Sequence, residues 1–479
     1  MNKDKSPADS NVKENIDSRS HNDFVTPSLL LFLDIILISI GSWAYWLILS
    51  KLTTPSEIGI AITVYSLAIL ITTITQLGLE YPLLKKSSIS GSRIIGTCLV
   101  IELAITIFSI PFVFFILNTY YDDSINRFAW ICIGLLILSS LAFVARFGLL
   151  GISDSKTVLI IDSIGLGIKL STGLLLVYMS FGALGMLLAY LFDFLFVSCI
   201  SLFIAKKLFS FRFGNIKNFV ETIKDALINT PAKYSKVIIV NLSIVLLPLL
   251  NISSSKIGIF YIALTISVFV TSFALSMAYM VIPASSTVRK DLSSESLRFS
   301  LSLISPIVVL LLVAPRSVLS LVGPEYESGQ NLLFVLAMTI IPSSITVNMI
   351  SKLNTLGKSK LLILTGMVQI VTFFIFFLIL VPIYETLGAA ISIFVVYVIS
   401  SILLIIVTDR RSLRYIMFAC VSVLAGFISG YLINIIIGYE QQFLVLISSI
   451  TVSIGIILAS KNMTIIDLKF LLKVILQRR

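Results

Sequence analysis

From residue 29 to residue 460 the chain alternates long apolar runs with short polar breaks. Fourteen runs stand out, at approximately 29–50, 58–79, 94–118, 128–148, 158–180, 183–204, 234–253, 257–281, 299–315, 331–351, 361–383, 387–407, 415–437 and 442–460. As helices, most are long enough to cross roughly 30 Å of hydrocarbon. Backbone groups in lipid must pair within their own segment, so the runs are expected to be helices and no strand is required. The expected fold class is therefore all-α, a polytopic membrane protein of about fourteen transmembrane helices. The ninth run is short and the fifth and sixth nearly touch, which leaves twelve or thirteen spans as alternatives. Residues 1–28 are polar throughout and read as a disordered tail without the apolar stretch of a cleavable signal peptide.

The polar breaks are not alike. Alternate segments, beginning with the N-terminal tail, hold 29 of the 35 Lys and Arg residues; the other loops hold only Lys51, Arg127, Lys256 and Arg316. Basic residues are retained in the cytoplasm, so this bias predicts a cell-membrane protein with both termini cytoplasmic. Trp43, Trp46 and Trp130 fall toward the predicted outer boundary, where an aromatic belt is expected. Composition agrees: 57% of residues are hydrophobic and 12% charged, and mean hydropathy is +1.06. The net charge of +11 becomes a record of topology rather than a nucleic-acid surface. The lone histidine, His21, lies in the polar tail, which excludes histidine catalysis and His-ligated metal. Cys98, Cys132, Cys199 and Cys420 sit in apolar runs without CxxC spacing and read as free core thiols.

A weak repeat runs through the middle. Pro55-Ser56-Glu57-Ile58-Gly59-Ile60 before the second span has a counterpart in Ser254-Ser255-Lys256-Ile257-Gly258-Ile259 before the eighth. Leu150-Gly151 with Ser155-Lys156 is echoed by Leu356-Gly357 with Ser359-Lys360, and Leu184-Gly185 by Leu387-Gly388. The offset is six spans, an even number, so the two halves keep one orientation and form a parallel repeat about an axis along the membrane normal. The expected organisation is an N-lobe (29–205), a cytoplasmic linker (206–233), a C-lobe (234–407), two further spans (408–460) and a basic amphipathic tail (461–479). This gives two pseudo-symmetric six-helix lobes plus two C-terminal helices. Phe219, Ile223, Ala226 and Leu227 in the linker have helical spacing, which fits either a helix lying on the inner leaflet or an ordinary positive-inside loop. Gly426, Gly430 and Gly438 could give the last two spans a lipid-tail groove or simply pack them.

These stretches resemble the polysaccharide flippase branch of the superfamily that also holds multidrug-and-toxin exporters and the peptidoglycan lipid flippase. The likeness lies in Leu52-Thr53-Thr54-Pro55-Ser56-Glu57-Ile58-Gly59, Leu77-Gly78-Leu79 and Leu321-Val322-Gly323-Pro324-Glu325-Tyr326. It continues in Asn354-Thr355-Leu356-Gly357-Lys358, Pro382-Ile383-Tyr384 and Leu387-Gly388-Ala389-Ala390. The resemblance implies a non-enzymatic flippase that moves a polyprenyl-linked oligosaccharide from the inner to the outer leaflet by alternating access. It implies the bilayer and a lipid-linked glycan as partners, polysaccharide-assembly enzymes as candidate partners, a monomer, no nucleic acid and no cofactor beyond a coupling H⁺ or Na⁺.

Ionisable residues within the spans are few: Asp34, Glu102, Arg146, Asp162, Lys169 and Asp193, all in the first half. Such groups are costly in hydrocarbon and usually face a cavity. Lys169 is the candidate phosphate-binding cation, with Arg146 at the cytoplasmic entrance. Asp162, Asp193, Glu102 and Asp34 are candidate ion-coupling acids. The bland alternatives are a self-neutralising Asp162–Lys169 pair on one helix face and snorkelling of Asp34 and Arg146 to the boundary. Asn241, Gln369, Tyr65 and Tyr190 could meet sugar hydroxyls. Flippases of this kind carry several cavity cations, including in their first two spans. Here the first span has none before Lys51 and the second has none, leaving two basic groups against four acidic. That balance keeps open a cation-coupled multidrug exporter and a cationic cargo. An integral-membrane glycan polymerase or ligase is the rival of a different class, disfavoured by outer loops too short for a catalytic segment.

Overall fold

A computed structural model of the chain describes residues 30–460 apart from 32, 152–153, 209–215, 289–292, 409–411 and 438–441. All regular elements among the described residues are helical. In order they are α1 (Leu33–Ser50), α2 (Pro55–Thr75), α3 (Glu80–Tyr120), α4 (Asp123–Asn126), α5 (Ala129–Gly151), α6 (Ser155–Tyr178) and α7 (Gly182–Leu208). Then follow α8 (Ile216–Leu249), α9 (Ser254–Val288), α10 (Ser293–Val313), α11 (Pro315–Ser320) and a 3-10 turn (Pro324–Gly329). The last four are α12 (Gln330–Thr355), α13 (Ser359–Thr408), α14 (Leu413–Ile437) and α15 (Gln442–Ala459). Among the described residues eleven stretches are long and apolar enough to span a membrane, and Val237–Leu249 and Leu444–Ala459 are shorter apolar helices. One of the eleven, Lys360–Thr408, has 49 residues, about twice what one crossing needs. It breaks at Glu385, whose φ of 51° lies outside helical space. Taken as two spans, it brings the helices into register with all fourteen apolar runs. The protein is a multi-pass, all-α membrane protein.

Local chemistry explains where helices begin. Thr54 accepts from the Glu57 amide at 3.4 Å and Pro55 occupies the first turn of α2, where its missing N–H costs nothing. Asp154 caps α6 through the Thr157 amide at 3.2 Å.

The repeat is visible as a reciprocal contact. A Cβ on Gly59 would collide with the Ser254 carbonyl, and a Cβ on Gly258 with the Pro55 carbonyl. Ser254 occupies in the second motif the place of Pro55 in the first. The starts of α2 and α9 therefore cross backbone to backbone about a two-fold axis, an approach that only glycine permits. Each half also ties the start of this helix to the turn between its fifth and sixth spans. Glu57 accepts from the Ala183 amide at 2.6 Å, beside Gly182 at φ 51°. Lys256, the counterpart of Glu57, pairs with Glu385, the counterpart of Gly182 and also at φ 51°. The tie is kept, but a carboxylate-to-amide bond in one half is an ion pair in the other.

Three placements differ from what the sequence suggests. Trp46 is buried against Tyr45 and Tyr261 and Trp43 stacks on Phe269 at 4.8 Å, so of the three tryptophans only Trp130 faces outward. Aromatic partners inside the bundle outcompete the interface for these two rings. Cys98 and Cys132 are buried, whereas Cys199 and Cys420 lie on the outer face of the bundle. The basic segment before the seventh span continues α8 from Ile216 without a break, and Phe219, Ile223 and Ala226 pack on Leu79, Leu83 and Ile94. An apolar stripe that could have lain on lipid is used to dock α8 on α3. The tail 461–479, His21 and Gly438 lie outside the described residues. Gly426 and Gly430 of α14 lie against Val309 and Val313 of α10 and Ser449 of α15, so at these two positions the helices pack closely rather than leave a groove.

Candidate functional site

The structure gathers five of the six intramembrane charges in the first half, on α1, α5, α6 and α7. Arg146 Nη2 donates to Asp34 at 2.5 Å and Arg146 Nε donates to Asp162 at 2.6 Å. The guanidinium offers a rigid fork of donors, which is why one arginine can hold carboxylates from two helices. Asp34 is 1% exposed and Arg146 turns inward, so neither snorkels. The second Asp34 oxygen, Oδ1, is buried without a partner.

Asp162 and Lys169 do share a face of α6, but they do not pair with each other. Lys169 Nζ donates to Ser42 at 3.3 Å and lies over the rings of Tyr190 at 4.9 Å and Tyr45 at 5.6 Å. The ring faces carry negative charge density and stabilise the ammonium where water cannot. Asp193 reaches α6 over Gly165, where a Cβ would lie 2.5 Å from its carboxylate oxygen. One helical turn separates Gly165 from Lys169, so Asp193 supplies the nearby negative charge. Three carboxylates and two cations form the cluster, which leaves it one unit acidic.

An aromatic layer closes one side of the cluster. Tyr65 and Tyr190 lie 4.2 Å apart, and Tyr190 touches Tyr45 and Trp46. Trp46 meets Tyr261 of α9 at 4.9 Å, carrying the layer from the first half into the second. Tyr45 is fixed by donating to the Met186 carbonyl at 3.1 Å.

The remaining candidates lie elsewhere. Glu102 on α3 is fully buried between α2 and α5 and stands apart from the Arg146 cluster. Asn241 donates to the Val237 carbonyl of its own helix at 2.8 Å, and Gln369 accepts from Ser235. Lys352 is a buried cation that the apolar pattern assigns to a loop; it is 6% exposed in the last turn of α12. The repeat does mark it: Lys352 precedes Leu356-Gly357 by the spacing at which Arg146 precedes Leu150-Gly151. Among the described residues no group of three or more His, Cys, Asp or Glu side chains could hold a metal ion.

In sequence the chain matches no family model and no curated protein. In structure it is similar to the lipid II flippase MurJ in an inward closed conformation, at 14% identity and a TM-score of 0.66, covering 94% of this chain and 100% of that one. It is similar to the MATE multidrug transporter DinF-BH, at 14% identity and a TM-score of 0.58, covering 83% and 96%. A MOP-superfamily transporter from Pyrococcus furiosus, described as having a binding pocket of reverse polarity, matches at 16% identity and a TM-score of 0.56, covering 82% and 96%. The fold is that of the MOP-superfamily transporters.

Proposed function

We propose that the protein is a transporter that moves a polyprenyl-linked oligosaccharide from the inner to the outer leaflet of the cell membrane, with both termini in the cytoplasm. The observation that carries this reading is the pair of intramembrane cations, Arg146 and Lys169, held by exchangeable partners. The match to a lipid II flippase over 94% of the chain supports it, as do the ordered flippase-like motifs. A phosphate-linked head group would displace Asp34 or Asp162 from Arg146 and draw Lys169 from its aromatic seat. Charge-assisted bonds of this kind are stronger than neutral ones, so the exchange can favour the anion. The released carboxylates, with Asp193, would then take up charge from a coupling cation. The Tyr45, Tyr65 and Tyr190 rings offer flat apolar faces to a sugar, and the Tyr65 and Tyr190 hydroxyls offer it polar contacts. Polysaccharide-assembly enzymes are the expected neighbours of such a step.

In vesicles reconstituted with the purified protein and a fluorescent polyprenyl-diphosphate glycan, Lys169→Ala is expected to slow flipping about tenfold or more, the worth of one charge-assisted contact. Unchanged flipping overturns the phosphate role of Lys169. Export of a cationic drug is the second reading, favoured by the acidic balance of the cluster. Dye efflux that depends on Asp162 and Asp193, without glycan flipping, would establish it instead.

A further inference from the structure

Glu102 lies in its own polar pocket. The side chain is 1% exposed, and Thr75 of α2 donates to Oε1 at 3.0 Å. The hydroxyls of Thr106 on α3 and Ser140 on α5 face the same carboxyl group and lie 3.0 Å from each other. Thr72 and Ser139 form a second hydroxyl pair alongside at 2.8 Å. Three helices thus converge hydroxyls on one carboxylate, and yet its Oε2 is buried with no partner.

The matching region of the second half carries a neutral amide in place of the carboxylate, although Ser302 Oγ of α10 is also buried there without a partner. There, between α10 and α12, Asn348 accepts from Ser296 at 2.8 Å, donates to the Ser344 carbonyl at 2.9 Å and reaches Ser300 at 3.5 Å. A neutral amide closes its network with both donors and acceptors. A carboxylate has only acceptors and a negative charge, so the Glu102 network needs a positive occupant to close.

We propose that Glu102, with the hydroxyls of Thr75, Thr106 and Ser140, forms a sodium site separate from the Arg146 cluster. The donors are all oxygens, the set that hard cations select over nitrogen or sulfur. One carboxylate balances one positive charge, which suits a monovalent ion rather than a divalent one. A proton needs a single acceptor, whereas a ring of hydroxyls from three helices supplies the several oxygens that a desolvated metal ion needs. With a cation beside Glu102, the single Thr75 proton can turn from Oε1 to the Thr72 carbonyl, 2.9 Å away, which frees the Thr75 lone pairs to face the ion. Ser140 and Arg146 lie about 9 Å apart along α5, so an ion that fixes α5 at Ser140 also sets Arg146 against Asp34 and Asp162. The use of this ion to drive transport rests on the transporter reading; the binding of the ion does not.

The test is direct sodium binding by the purified protein in nanodiscs, followed by calorimetry at constant ionic strength with choline as the replacement cation. The wild type is expected to give saturable, sodium-specific heat. Glu102→Gln abolishes it, Thr75→Val and Thr106→Val weaken it at least tenfold, and Asp162→Asn and Asp193→Asn leave it intact. Thermal unfolding in sodium-free buffer checks that Glu102→Gln folds, since this change removes the uncompensated charge and should not lower the melting temperature. Equal binding by Glu102→Gln, loss of binding only in the Asp162 or Asp193 variants, or a wild type that responds to pH but not to sodium would each overturn the assignment. Sodium binding in a protein that flips no glycan would support the site while removing the proposed cargo.

Discussion

The two halves of this protein have one framework and two kinds of interior. α2 and α5 are joined by Thr72 and Ser139 at 2.8 Å; α9 and α12, their counterparts, are joined by Thr271 and Ser343 at 3.2 Å. Around these matching joints the chemistry diverges. The first half buries Asp34, Asp162, Lys169 and Glu102, with the Arg146 side chain 26% exposed beside them. The second half fills the same layers mostly with Ser296, Ser300, Ser343, Ser344 and Asn348, hydroxyls and an amide that satisfy one another or helix carbonyls, and carries the buried cation Lys352 at the end of α12. Neutral hydrogen-bonded groups hold helices together at modest cost, whereas buried charges are stable only while each keeps its partner. The difference concentrates the buried charge in the first half and leaves the second held mostly by neutral hydrogen bonds.

The largest test of that contrast is removal of Arg146. Arg146→Ala would strand Asp34 and Asp162, and losing one partner of a buried pair costs about 3–5 kcal/mol. A thermal melt in detergent should fall sharply, and adding Asp34→Asn and Asp162→Asn should recover most of the loss without restoring transport. Asn348→Ala is the corresponding change in the second half. It leaves Ser296 and Ser300 to find new partners and should cost about 1–3 kcal/mol while leaving substrate dependence unaltered. A fall as large as that of Arg146→Ala would erase the distinction between the halves.

The smallest effects test the symmetric frame rather than the interiors. Lys256→Ala breaks an ion pair in which both side chains are about half exposed, and should cost less than about 1 kcal/mol. Glu57→Ala removes the carboxylate that caps the Ala183 amide and should cost about 1 kcal/mol. Thermal melts of the two variants are expected to rank Glu57→Ala as the more damaging. The reverse order would mean that the exposed ion pair supports the α9 start more than the carboxylate–amide bond supports the α2 start.

The helical spans, the even alternation of basic loops and the six-span repeat could all be read along the chain. Their causes are local: a lipid core requires runs of about twenty apolar residues, and turn and cap positions admit few residue types. The scarcity of ionisable groups also made the candidate list short, and each of those six residues proved to be buried or part of the charge cluster. The same local reading placed Trp43 and Trp46 at an interface, because a tryptophan near a span end has the same sequence signature whether its ring meets lipid headgroups or Tyr261. It missed Lys352 because a cation at the end of an apolar run looks like a loop residue until the length of α12 is known.

What the sequence by itself determined was the all-α spanning pattern, the halves that repeat, and which side chains could carry chemistry. Only the tertiary structure decided their partners. Arg146 meets Asp34 across 112 positions of sequence, and Glu102 meets Thr75 across 27. Lys169 turns from Asp162, with which it shares a helix face, to Ser42 and the tyrosine rings. Such choices depend on which helix faces turn toward one another. That rotation is set by the packing of all the helices together, through contacts such as the Gly59–Gly258 crossing, and no single stretch of chain contains it.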